Sequence, residues 1–161
     1  MNPRLMGIIH WYDAESKSSE RMIQAIPSDK LGKKIHAKLR TAGELAMHMA
    51  DSVRDLTATI ETGKLVMSEP MPVLASTAEL AANYTSAAGR LLSEAKKFTD
   101  AQLNMKYPFE MGGKIVWEPT GFELLSGYIC HEIHHRAQIG VVLRMLDAKV
   151  PGMYGPTADD M

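Results

Sequence analysis

The chain has 161 residues, of which 45% are hydrophobic and 23% are charged, a composition typical of a single globular domain over residues 1–161. Its 18 basic and 19 acidic residues leave a formal net charge of −1. The sequence therefore lacks the excess of basic residues that is typical of nucleic-acid-binding proteins. The only cysteine, Cys130, excludes an intrachain disulfide, and the first apolar run is too short for a signal peptide or a membrane span, so a cytoplasmic protein is expected.

Four segments of the sequence have the period of about 3.6 residues that is typical of amphipathic helices. The predicted helices cover residues 3–26, 41–62, 76–98 and 120–148. The first helix has polar residues, Glu15, Ser16 and Ser19, at positions of the stripe where apolar residues are expected. These side chains either line a polar cavity inside the protein or face solvent at an irregular edge.

The connections between the predicted helices bear on the architecture. The pair Gly112-Gly113, between YPFEM and KIVW, predicts a short hairpin or a long ordered loop before the last helix. The two middle connections are long, whereas bundles with alternating helix directions favour short loops. The sequence therefore predicts an all-α four-helix bundle with at least one crossover connection.

Histidines lie on the predicted inner faces of two helices. Each residue turns an α-helix by about 100°, so His131 and His135 are about 40° apart, one turn above the other, within the apolar stripe of the last helix. His48 likewise lies within the apolar stripe of the second helix, at a position that faces the core. Burying three imidazoles without a shared partner is costly, and three that converge are typical of a metal site with an open coordination position. The alternative is three unrelated core histidines.

The string HEIHH, residues 131–135, also matches the H-E-x-x-H pattern of zinc metalloproteases. The extended pattern of such enzymes is missing, since positions 138 and 141 hold Gln and Val, and acidic residues after Asp147 occur only in the tail. A ferritin-like di-iron site is disfavoured as well, because Glu132-x-x-His135 has no second copy. Both patterns therefore rank below a three-histidine site.

Other residues near the three histidines are candidates for catalysis or support. Glu132 and Glu15 are predicted as acid–base residues or as contacts behind the metal ligands. Arg136 is expected to form a salt bridge or a cap within the bundle, and Cys130 to be a small core residue rather than a nucleophile. His134 lies off the centre of the stripe and is expected to be peripheral.

The sequence resembles the DinB-like (YfiT-type) family in three segments. They are GELAMHMADS at residues 43–52, HEIHHRAQIGVVLRML at 131–146 and VPGMYGP at 150–156. The family pattern H-x-x-x-H-R-G-Q is met on the last helix, except that residue 137 is Ala. The resemblance implies a four-helix bundle with up-up-down-down crossover topology.

The same resemblance implies a function. His48, His131 and His135 correspond to the family's metal ligands, with water completing the shell, and the candidate ions are zinc, nickel, iron, copper and manganese. Family members of known activity include thiol-dependent transferases and isomerases that use bacillithiol, mycothiol or glutathione, and many members are homodimers. We therefore expect a metal-binding homodimer that transfers a low-molecular-weight thiol to a small-molecule substrate, without nucleic-acid or membrane partners. A metal-dependent hydrolase and a non-catalytic, stress-associated metal-binding protein are the alternatives.

Overall fold

The structure, a computed structural model, describes residues 2–160. Its elements in chain order are α1 (Pro3–Gln24), α2 (Ala42–Thr62), α3 (Thr77–Ala95), α4 (Asp100–Asn104), β1 (Phe109–Met111), β2 (Lys114–Trp117) and α5 (Gly121–Met145), with a short 3-10 helix at Ser28–Lys30. The four long helices α1, α2, α3 and α5 form the bundle. β1 and β2 form an antiparallel hairpin that turns at Gly112 and Gly113. The predicted all-α bundle and the predicted hairpin before its last helix are therefore confirmed.

The ends of the helices follow from hydrogen bonding at their caps. At the start of α2, the Thr41 hydroxyl accepts from the backbone N–H of Glu44 at 3.2 Å, and the Glu44 carboxylate accepts from the N–H of Thr41 at 2.6 Å. The same reciprocal pairing begins α3, α4 and α5, because Ser or Thr followed three residues later by Glu or Gln satisfies two exposed donors. α5 ends at Met145, before the predicted residue 148, and Asp147 then adopts a left-handed backbone conformation with φ of 53°.

α2 and α3 run parallel to each other. Arg54 donates to the side chain of Asn83 at 3.0 Å. Further along both helices, Arg90 of α3 donates to Glu61 of α2 at 2.7 Å. Because the contact positions advance together along the two helices, their directions are the same.

α1 is antiparallel to α3 and parallel to α5. Thr77, the first residue of α3, donates its hydroxyl to a carbonyl just beyond the end of α1, at 2.6 Å. Near the start of α1, the Arg4 guanidinium lies 4.3 Å from the centroid of the Phe122 ring at the start of α5. In the middle of the two helices, Glu15 pairs with Arg136. These directions leave α2 antiparallel to α5.

The four long helices therefore run up, down, down and up, which corrects the up-up-down-down order implied by the resemblance. The reason lies in the connection of residues 25–41. It stays at the end of the bundle where α1 finishes, and the N–H of Gly43 donates to the carbonyl of Leu31 at 3.0 Å. α2 begins at that end and has to run back.

The connection of residues 63–76 is the predicted crossover. It returns along the outside of α2, where the backbone amides of Ser68 and Met71 donate to the carboxylates of Asp55 and Asp51 at 3.2 Å. A helix of 21 residues such as α2 is about 31 Å long, whereas 14 extended residues reach up to about 46 Å. The segment is therefore long enough to bring the chain back to the end where α3 begins.

The core is lined by apolar side chains from all four long helices. Fully buried examples are Leu5, Ile23, Leu45, Leu56, Leu80, Leu91, Ile129 and Ile139. Each buried aliphatic side chain contributes about 1.5–3 kcal/mol relative to exposure, so this packing holds the helices in register around the histidines. No helix within residues 2–160 is both long and apolar enough to cross a membrane.

Gly121 marks a very close contact at the start of α5. A Cβ atom at this position would lie 2.4 Å from the carbonyl oxygen of Gln102 and 3.0 Å from Cε1 of Phe98. Gly121→Ala is therefore expected to lower the free energy of unfolding by roughly 1–3 kcal/mol, because backbone and ring have to move apart. Urea unfolding measures the change.

Gly89→Ala is the matched control for that variant. Gly89 is an exposed helical residue of α3, and a Cβ atom there would meet nothing within 4 Å. Alanine's better helix propensity is expected to raise stability by about 0.5–1 kcal/mol. Equal effects of the two substitutions would contradict the assigned contact at Gly121.

Candidate metal centre

Three histidines from two helices meet at one point between α2 and α5. Nε2 of His135 lies 3.1 Å from Nε2 of His48 and 3.1 Å from Nε2 of His131. One ring nitrogen from each residue lies within 4.8 Å of the others. Around a tetrahedral zinc ion with bonds of about 2.1 Å, two imidazole nitrogens are about 3.4 Å apart, so this spacing suits a shared ion. The structure thus brings together the three side chains that the sequence pattern grouped.

The antiparallel packing of α2 and α5 explains how the rings meet. On α5, His131 and His135 lie one turn apart on the face toward α2. On α2, His48 lies between Leu45 and Met49, both of which are buried. His135 is buried, whereas His48 and His131 are half-buried. The cluster therefore lies at the edge of the core, with one side toward the bundle interior and the other toward the surface.

A side chain one turn along α5 orients the buried histidine. Nδ1–H of His135 donates to Oε1 of Gln138 at 2.8 Å, since an amide oxygen only accepts. This hydrogen bond selects the tautomer in which Nε2 of His135 directs a lone pair at His48 and His131. Such a bond behind a metal-ligating imidazole holds the ring and raises its basicity.

Burial keeps the three imidazoles neutral. It lowers the pKa of His48 from 6.5 to about 4, and that of His131 to about 4. Burial also lowers the pKa of His135, although the hydrogen bond with Gln138 opposes this. The positive charge of Arg40 lowers the pKa of all three histidines further. At neutral pH the rings are therefore in the uncharged form that binds a metal.

Glu132 follows His131 in the chain but lies in the bundle interior, with 3% of its surface exposed. Its Oε1 accepts from the Ser19 hydroxyl at 2.6 Å and from the Tyr84 hydroxyl. Burial raises the pKa of Glu132, and the hydrogen bonds from Ser19 and Tyr84 only partly oppose it. The sequence left open whether Ser19 lines a polar cavity inside the protein or faces solvent. The structure places it inside the protein.

The other carboxylate oxygen of Glu132 and the hydroxyl of Tyr12 are buried without a hydrogen-bond partner among residues 2–160. Both residues border a cavity of about 10 Å³ that His131 also lines. Burial, and then the charge of Glu132, raises the pKa of Tyr12 well above its usual value. Glu132 is thus a buried polar group behind the histidine cluster, and its acid–base role stays a prediction.

Glu15 belongs to a second buried network. The Arg136 guanidinium donates to the Glu15 carboxylate at 2.5 Å and to the Glu15 carbonyl at 2.9 Å. The Tyr154 hydroxyl donates to the same carboxylate at 2.7 Å. Burial would raise the pKa of Glu15, but hydrogen bonds from Tyr154 and Arg136, together with the charge of Arg136, hold it below its usual range. The salt bridge expected for Arg136 is present, and the catalytic role of Glu15 stays a prediction.

Two residues beside the cluster lie on the outer side of α5. His134 is exposed, as expected for a peripheral position, and its ring centroid lies 4.9 Å from that of His135. Cys130 is exposed, which corrects the expectation of a small core residue. The physical reason is that its side of α5 faces away from α1 and α2, the two long helices on which α5 packs.

A surface groove of about 320 Å³ opens beside His48. It lies between the connection of residues 25–41 and the crossover of residues 63–76. We call it the basic groove, and its walls include Lys34, Lys38, Arg40, Met47, His48 and Met71. Its volume is within the range of small-molecule sites, and it gives a ligand access to one histidine of the cluster.

Three contributors to the site were not expected from the sequence: Gln138, Lys38 and Arg40. Gln138 follows His135 by three residues, which is the spacing of neighbours on a helix face, so its contact could have been found. Lys38 and Arg40 had no such signal. They belong to a connection whose path past His48 is set by tertiary packing.

The fold and the cluster define a helical-bundle protein with three histidines that can hold a metal ion. A sequence model of the DinB family matches residues 1–161, and the chain belongs to this family. Uncharacterized protein YrdA of Bacillus subtilis (strain 168) is 26% identical over 150 residues, which cover 92% of this chain and 87% of that protein. The family resemblance noted in the sequence is therefore confirmed.

Solved structures share the fold. A DinB-like protein from Bacillus cereus ATCC 10987 has a TM-score of 0.77 at 21% identity, covering 92% of this chain and 97% of that one. For a DinB-like protein from Bacillus subtilis, the TM-score is 0.71 at 18% identity, covering 91% and 97%. For the mycothiol-dependent maleylpyruvate isomerase it is 0.62 at 15% identity, covering 91% and 70%. Likeness at these identities shows the fold alone.

The buried pair of Arg136 and Glu15 is expected to be sensitive to the loss of one partner. Arg136→Met leaves the Glu15 carboxylate buried without its cation, which is expected to lower the free energy of unfolding by roughly 3–5 kcal/mol. Arg144→Met is the control on the same helix, because Arg144 is half-exposed in its pair with Asp159 and is expected to change stability little. Thermal and urea unfolding compare the two variants, and similar losses for both would contradict this account.

Proposed function

We propose that this DinB-family protein is a divalent-metal-dependent thiol transferase that acts on small molecules. The observation that carries the proposal is the cluster of His48, His131 and His135, whose neutral rings direct nitrogens at one point. A structural neighbour is a mycothiol-dependent isomerase, which supports a thiol as the co-substrate. The basic groove beside His48 supports access for a small molecule.

The donor set suits a resident divalent cation with an open coordination position. Among residues 2–160, no further His, Cys, Asp or Glu joins the three histidines. Three protein ligands with a free fourth position are typical of catalytic zinc sites, whereas structural zinc sites have four. Imidazole also suits nickel, iron and copper, so metal analysis has to identify the ion.

A divalent cation held by the three histidines would stabilise a thiol as its thiolate at neutral pH, the nucleophilic form. In the proposed transfer, a sulfur–carbon bond forms to the electrophile, the bond from that carbon to its leaving group breaks, and the thiol proton passes to solvent. The chain itself orients the ligands through the bond from His135 to Gln138. The packed interior keeps water away from one side of the cluster.

A metal-dependent hydrolase is the second candidate. It is supported by the same open position, since divalent metals also lower the pKa of water. Two polar atoms without partners, on Glu132 and Tyr12, lie next to the cavity that His131 lines. The two candidates differ in whether turnover requires an added thiol.

Metal binding is tested with protein purified without a metal-affinity resin. We expect about one divalent ion per chain. His135→Ala is expected to weaken binding by at least about 100-fold, since loss of even a supporting contact costs up to about that much. His134→Ala is the matched control, because His134 is exposed on the outer side of α5. Competition with a chelating dye measures both affinities. Absence of a bound ion, or equal losses in the two variants, would contradict the proposed centre.

Thiol transfer is tested with bacillithiol, mycothiol and glutathione against an aryl halide, in the presence of zinc, nickel, manganese or iron. We expect turnover that requires both thiol and metal, that His135→Ala abolishes and that His134→Ala retains. Ester hydrolysis without a thiol would favour the hydrolase instead. If no combination turns over and His135→Ala mainly lowers the melting temperature, the metal is structural and the transferase proposal is wrong.

A further inference from the structure

The basic groove carries two positive charges that are not neutralised by an ion pair. Within residues 2–160, neither Lys38 nor Arg40 forms a salt bridge. Lys34 is already paired with Glu44 at 3.2 Å. Asp51, which also borders the groove, is paired with an arginine of its own helix and accepts from a backbone amide of the crossover. Three cations and two carboxylates border the groove, so its lining has a net charge of +1, and Lys38 and Arg40 are the two cations without an ion-pair partner.

The opposite wall of the groove is apolar. Met47 lies on α2, and Pro70, Met71 and Val73 lie on the crossover segment. Half of the surface of Met71 is exposed, although a methionine side chain gains from burial against an apolar partner. The groove thus combines a cationic side with an apolar side, which suits a ligand with an anionic group and a hydrocarbon body.

The groove also reaches the histidine cluster. His48 and Arg40 both form part of its wall. A molecule in the groove can therefore present one end to the cluster while its other end lies beside the two cations. The acidic residues Glu44 and Asp51 at the same lining limit the net positive charge, which favours a monoanion over a phosphate dianion.

We propose that the basic groove selects a thiol that carries a carboxylate, with Lys38 and Arg40 as the carboxylate-binding residues. The Arg40 guanidinium offers two parallel N–H donors that match a carboxylate. Met47 and Met71 contact the hydrocarbon part of the molecule, and its sulfur lies toward the histidines. This assignment rests on the proposed thiol transfer, because it names the class of thiol used at the same centre.

The test uses the cobalt(II)-loaded protein and two thiols of equal chain length, the anionic 3-mercaptopropionate and the neutral 3-mercaptopropanamide. Sulfur coordination gives an absorption band, from which the dissociation constant of each thiol is measured. We expect 3-mercaptopropionate to bind about tenfold more tightly, the order of effect of a charge-assisted hydrogen bond. The preference is expected to shrink with added salt, because both cations are exposed.

Two double variants test whether the preference for 3-mercaptopropionate over its amide arises in the basic groove. Lys38→Gln with Arg40→Gln is expected to remove the preference while leaving the amide thiol bound as before. Lys33→Gln with Lys114→Gln is the matched control, since it removes two exposed cations outside the groove and is expected to keep the preference. Both variants change only exposed side chains, and their melting temperatures verify folding.

A second pair of probes separates this inference from the proposed function. Binding of 3-phenylpropionate and of its amide to the metal-free protein is measured by calorimetry. If the acid binds more tightly in wild type and in the control variant, while neither thiol gives the cobalt band, the carboxylate site stands and thiol transfer fails. If both thiols coordinate equally well, or if the Lys38→Gln/Arg40→Gln variant keeps the preference, the carboxylate site is overturned and the proposed transfer is untouched.

Discussion

The antiparallel contact between α2 and α5 is the interaction on which the rest of the site depends. It brings His48 of one helix to His131 and His135 of the other, with ring nitrogens 3.1 Å apart. Desolvating three imidazoles costs free energy unless they share a partner, and their neutral state leaves lone pairs directed at one point. The packed apolar core around them supplies the free energy that holds this arrangement, so the centre is a consequence of how two helix faces meet.

Two buried polar networks fix the rotation of α5 within that contact. Glu132 binds Ser19 of α1 and Tyr84 of α3, and Arg136 binds Glu15 of α1 and Tyr154 of the tail. Because these residues lie on the side of α5 that faces α1, the side that carries the histidines is left facing α2. The polar break in the first helix, for which the sequence left open either a cavity lining or a solvent-facing edge, is the part of α1 that receives both networks.

The path of the connections decides how a ligand reaches the centre. With α2 and α3 parallel, the segment of residues 63–76 has to return along the outside of α2, where Asp51 and Asp55 accept from its backbone amides. The first connection, residues 25–41, packs at the end of the bundle where α2 begins. The basic groove is the space between the two segments, and His48 lies in its wall. The access of a ligand to the histidine cluster and the positive charge beside it therefore both follow from the paths of these two connections.

Local periodicity determined much of this protein. The sequence by itself predicted the four long helices, the hairpin at Gly112-Gly113 and the shared face of His131 and His135, because these depend on φ/ψ preferences and on 100° per residue within one helix. Tertiary structure alone decided the up-down-down-up directions, the burial of Glu132, the exposure of Cys130 and the groove with Lys38 and Arg40. Periodicity gives angles within a helix, whereas the rotation of that helix against its neighbours and the path of the connections depend on contacts between residues far apart in the chain.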